Sequence, residues 1–193
     1  MGSRRVSRKR LFEVEKKGQA IDLESGLGIK DAIASATQHR QGQEIITEIV
    51  VDLGTTAADI VGGGSDKPVG VATQNAQITR LTKAKYGTIT EVRVVCLEDG
   101  GADYDVVVGD EVEPTAATVN NRAELVTDIG NDLGEDSSAL SSTIIAIDTN
   151  GMQTADNEWY LYVTNANGNS STTSINSGKL IIYLHGFAAP ADL

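Results

Sequence analysis

The apolar pattern changes its period near residue 43. Over residues 29–38, Ile29, Ile33 and Ala36 recur at helical spacing with further alanines between them, which predicts a short helix. From 44 to 53 the chain is rich in Ile and Val between turn-forming residues, and such β-branched enrichment predicts a strand. The triplet Gly62-Gly63-Gly64, followed by Ser65 and Asp66, reads as a loop. Two short extended segments, 68–73 and 76–82, are parted by Gln74-Asn75. Residues 88–97 set Ile89, Val92 and Val94 among Thr, Arg and Glu, another strand pattern. Residues 103–108 end in three consecutive valines, as in a strand buried on both faces. Residues 120–133 read as a second helix, with Asn120 as cap, Glu124 in the first turn and Gly134 as terminator.

The last third is the clearest β region. Segments 142–148 and 158–164 flank a connection containing Asn150-Gly151, a favoured turn pair set here in a longer loop. Residues 165–178 are a Ser/Thr/Asn/Gly run and predict a long exposed loop, and 179–185 place Leu180, Ile182 and Leu184 on one face of a final strand. Short strands with turn signals and no βαβ alternation predict a mainly β fold, a β-sandwich or jelly-roll-like domain with one or two short helices. The division expected is an extended basic N-terminal arm with its short helix over 1–42 and a β-sandwich body over 43–193.

Composition narrows the chemistry. Of 193 residues 40% are apolar, enough to fill a core and to argue against global disorder. One Cys excludes an internal disulfide and a multi-Cys zinc site, and His39 and His185 are the only histidines. The net charge of −11 is unevenly spread. Residues 1–17 hold Arg4, Arg5, Arg8, Lys9, Arg10, Lys16 and Lys17 against Glu13 and Glu15, a net +5, which leaves −16 on the remainder. A cationic run of this kind repels itself, has little to bury and is expected to be flexible when alone. It suits an acidic protein surface more than a nucleic acid, with a solvated tail or processing signal as the bland alternative. No apolar run follows it as in a secretory signal, and no stretch is apolar enough to span a membrane.

Catalytic patterns are missing. There is no Gly-x-Ser-x-Gly elbow, no phosphate-binding loop and no base oriented toward a nucleophile, and Cys96 reads as a buried structural thiol inside a strand. No catalytic residue and no cofactor is assigned. Glu98, Asp99, Asp103, Asp105, Asp110, Glu111 and Glu113 crowd one stretch in which no Lys or Arg occurs from 94 to 121. Carboxylates converging from loops suit Ca²⁺, and an Asp/Glu pair suits glycoside hydrolysis. EF-hand spacing is absent, however, and the reading adopted is an acidic surface facing solvent or a neighbouring subunit, with no metal site assigned. Trp159-Tyr160-Leu161-Tyr162 suits stacking on sugars or single strands, but strand alternation favours core for one aromatic pair.

The basic N-terminal segment over 3–17, the Gly/Ala/Thr/Val-rich β body and the segments 87–97 (GTITEVRVVCL) and 178–187 (GKLIIYLHGF) resemble the capsid decoration, or cement, proteins of tailed bacteriophages of marine and cyanobacterial type. The resemblance implies a non-enzymatic virion protein that binds the major capsid protein, commonly as a homotrimer, with its arm laid across neighbouring shell subunits. The alternative is a phage tail or fibre-associated module that recognises host-surface glycans through loops near Trp159 and 165–178.

Overall fold

A computed structural model describes residues 18–29, 33–54, 60–62, 66–98, 104–115, 117–119, 123–129, 159–165 and 178–188. The seven arm cations Arg4 to Lys17, the 142–148 segment and the 166–177 loop lie outside the described residues.

The fold is mainly β, with two antiparallel sheets and a small two-stranded ribbon. The larger sheet has the order β1-β2-β3-β11-β7. Its strands are β1 (Gln19–Ile21), β2 (Ala34–Gln41), β3 (Glu44–Asp52), β11 (Lys179–Phe187) and β7 (Thr88–Glu98). The second has the order β6-β10-β8-β9, built from β6 (Thr79–Leu81), β10 (Trp159–Asn165), β8 (Tyr104–Gly109) and β9 (Ala123–Ile129). β4 (Ile60–Gly62) pairs with β5 (Val69–Val71). Period-2 alternation does most of the folding work. Along β3 it buries Ile45, Thr47, Ile49 and Val51, and along β11 it buries Leu180, Ile182 and Leu184. Side chains from both large sheets meet in one core, with Val51, Val92, Val94 and Ile182 from the first and Val106, Val108, Leu161 and Val163 from the second.

Two helix expectations are corrected. The helix expected over 29–38 does not extend past Ile33, which is helical: residues 30–32 lie outside the described residues, and Ala34–Gln41 form β2, paired residue for residue with β3 from Ala34↔Val51 to Gln41↔Glu44. Ala34 and Ala36 face the core while Ser35 and Thr37 alternate outward. Pairing with the strongly β-prone β3 outweighs the alanines' helical preference. The two strands close on Gly42-Gln43, and Gly42 has φ +62°, which a two-residue II′ hairpin turn demands of its first position. Residues 19–21 and 34–41 therefore belong to the sheet, and the expected arm–body boundary at 42/43 falls inside a hairpin turn.

The second correction is β9, a strand where 120–133 predicted a helix. Leu125 and Ile129 are buried four residues apart, a spacing that both periods satisfy, and pairing with β8 decides between them.

A helix described over its whole length is the single turn α1 (Lys83–Tyr86). Thr82 caps it by accepting the Lys85 N–H, and Gly87 at φ +67° ends it.

Candidate functional site

β8 positions most of the chemistry. All six of its residues are buried, as the valine triplet predicts. Tyr104, Val106 and Val108 enter the main core. Val107 lies on the other face, where it packs with Val119 and Tyr162 under a half-buried Tyr160. This outer face is roofed by residues 111–115 and 117–119. The Tyr162 hydroxyl donates to the Glu111 carbonyl at 2.6 Å and accepts the Glu113 N–H at 3.0 Å. Burial pushes its pKa up, against the lowering effect of the Glu113 N–H. The roof is tied down further along, where the Thr115 hydroxyl donates to the Val71 carbonyl at 2.9 Å.

Asp105 is on this same outer face, two residues from Val107, and is only 4% exposed. It stands directly opposite Thr164 of β10, which is fully buried. The Thr164 hydroxyl has no hydrogen-bond partner among the described residues. Directly opposed residues of antiparallel strands project to one side of a sheet, with Cβ atoms about 4.5–5.5 Å apart. Glu124 of β9 opposes Val107 and so shares that face.

Past the end of β4 the chain returns alongside β10. The Asp66 N–H donates to the Asn165 carbonyl at 2.8 Å, the Asn165 N–H donates to the Lys67 carbonyl at 3.2 Å, and Pro68 bridges Thr164. These contacts bring carboxylate oxygens of Asp66, Asp105 and Glu124 within 4.8 Å of one another, the first half-buried, the second buried and the third exposed.

Among the described residues of the acidic stretch singled out in the sequence, only Asp105 enters this cluster. Glu98 ends β7, Asp110, Glu111 and Glu113 lie on the segment after β8, and Asp99 and Asp103 are outside the described residues. Asp66 and Glu124 escape a sequence reading because they are distant in the chain. The available signal was Asp105 itself, an acid embedded in a valine strand.

The other candidates separate in space. His39 and His185 occupy one face of the larger sheet, with Ile46 of β3 between them and Glu91 beside His185. Cys96 is buried and its thiol donates to the Glu98 carbonyl at 3.4 Å, as suits a structural thiol. Trp159 packs against the main core and Leu161 is within it, while Tyr160 and Tyr162 serve the outer cluster. The aromatic run is therefore spent on packing both faces of β10.

Comparison of the chain with protein-family models, with curated proteins and with solved structures finds no match.

Proposed function

We propose that this chain is a non-enzymatic structural protein of a virus particle, a capsid decoration protein that binds the assembled shell through its basic N-terminal segment. The observation that carries the reading is the division of charge: +5 on residues 1–17 and −16 on the rest. The segment precedes in the chain β1, an edge strand of the larger sheet among the described residues. A cationic segment of this size is steered to an acidic surface, and ordering it on binding is offset by the area it covers there. The acidic body keeps like-charged copies apart in solution.

The proposed partner is the major capsid protein, with the body, a β-sandwich in this reading, assembled as a homotrimer on the shell of the virion. Deletion of residues 2–17 tests the segment's role. The truncated protein should stay folded by circular dichroism and fail to co-sediment with purified shells, while full-length binding should weaken as salt rises toward the screening range. Equal occupancy of shells by the truncated protein overturns the reading.

A further inference from the structure

We propose that Asp66, Asp105 and Glu124, with the hydroxyl of Thr164, form a binding site for a hard divalent cation of Ca²⁺ size on the outer face of the second sheet. The site is independent of the N-terminal segment and of any role in a virus particle.

The three carboxylates come from a loop, from β8 and from β9, so tertiary pairing, and not a local run of acids, brings them together. Carboxylates this close repel each other when ionised, and Asp105 is only 4% exposed.

Thr164 is the second and independent sign. Its hydroxyl is fully buried, has no partner among the described residues, and projects from the position opposite Asp105 into the same face. A buried hydroxyl left unpaired destabilises a fold unless some group supplies the missing interaction. A cation beside Asp105 accepts the hydroxyl lone pair and neutralises the carboxylates at once.

The ligand set selects the class of ion. Every donor is oxygen, which suits Ca²⁺ or Mg²⁺, while the histidines and Cys96 that would favour zinc or copper lie elsewhere. Two oxygens on one Ca²⁺ can be no further apart than twice the metal–oxygen bond, about 4.6–5.2 Å. The 4.8 Å envelope of the cluster falls in that range. Mg²⁺ has shorter bonds of about 2.0–2.1 Å and holds its waters more tightly. Exposed Glu124 marks the side from which an ion and its remaining waters would enter. An ion there would tie the 66–68 segment and β9 to β8.

The test uses the full-length protein stripped with EDTA and then dialysed free of it. Titration with CaCl₂ should release or absorb heat with saturation, raise the melting temperature by a few degrees, and displace Tb³⁺ whose emission is sensitised by the nearby tyrosines. Equal ionic strength of NaCl should do none of this. Glu124→Gln alters an exposed side chain and should fold normally, yet bind Ca²⁺ at least about tenfold more weakly, since affinity in such sites follows ligand charge. Thr164→Val and Asp105→Asn should weaken binding likewise, with folding checked by circular dichroism.

Absence of saturable Ca²⁺ binding up to about 5 mM, beyond the weakest ordinary protein sites, overturns the proposal. So does a Glu124→Gln variant that binds as the wild type does. Tighter binding of Mg²⁺ than of Ca²⁺ overturns the assignment of the ion.

Discussion

Tyr86 shows how a single hydroxyl is held by the fold and what that does to pH dependence. Its ring is buried and its oxygen is 2.7 Å from the Thr79 hydroxyl. Burial raises its pKa to about 12, and Glu24 and Asp22 add to the rise against the lowering effect of Thr79. The unfolded phenol titrates near 10. Its contribution is thus complete below pH 10 and is lost as pH climbs toward 12, because the native state then holds a proton that the unfolded chain has released. The loss is on the order of 2–3 kcal/mol. Tyr162 shifts in the same direction and adds to it. Denaturant melts between pH 9 and 12 should show stability falling with pH. Tyr86→Phe should flatten that slope and lower stability at neutral pH by about 1–2 kcal/mol, the cost of leaving the Thr79 hydroxyl without its stronger partner. An unchanged slope in the variant would rule out this role. Tyr162→Phe should likewise cost about 1–3 kcal/mol and loosen residues 111–113, read as faster amide exchange at Glu113. Neither tyrosine announces this in the sequence, since the partners lie at Thr79 and in the 111–113 backbone.

Elements were legible where the period was unambiguous. β3, β7, β8, β10 and β11 were readable from alternation or from runs of valine and isoleucine. β2 and β9 were not, because Ala34 and Ala36 favour a helix when taken alone and Leu125 and Ile129 fit both periods. At such positions the neighbour decides, and both segments lie beside a strongly β-prone strand. Packing between elements is set equally far from local sequence. Gly186 sits at a register shift between β11 and β7, and a Cβ there would run into the Tyr86 carbonyl oxygen. That contact seats α1 against β11. Gly186→Ala should therefore destabilise by about 1–3 kcal/mol through overpacking, whereas Gly42→Ala, with open space around it, should cost only its positive-φ strain. Chemical denaturation of the two variants checks the order, and a harmless Gly186→Ala would show that α1 can shift away.

For the whole molecule, the single core shared by both large sheets predicts one cooperative transition. Trp159 reports on the second sheet, and far-ultraviolet dichroism reports on all strands, so their melts should coincide. Leu180→Ala, in the larger sheet, should move both together and cost about 2–5 kcal/mol. Separate transitions would mean that the sheets fold apart. The sequence by itself determined the β class, the most regular strands, the buried valines of β8, the structural place of Cys96 and the separation of a cationic segment from an acidic remainder. These follow from periodicity, side-chain shape and charge, which are local. Tertiary structure alone decided that residues 19–21 and 34–41 join the larger sheet, that β9 is a strand, and that Asp66, Glu124 and Thr164 gather around Asp105. The physical reason is common to all three: strand pairing and like-charge crowding depend on residues far apart in the chain, and only the register between strands says which of them share a face.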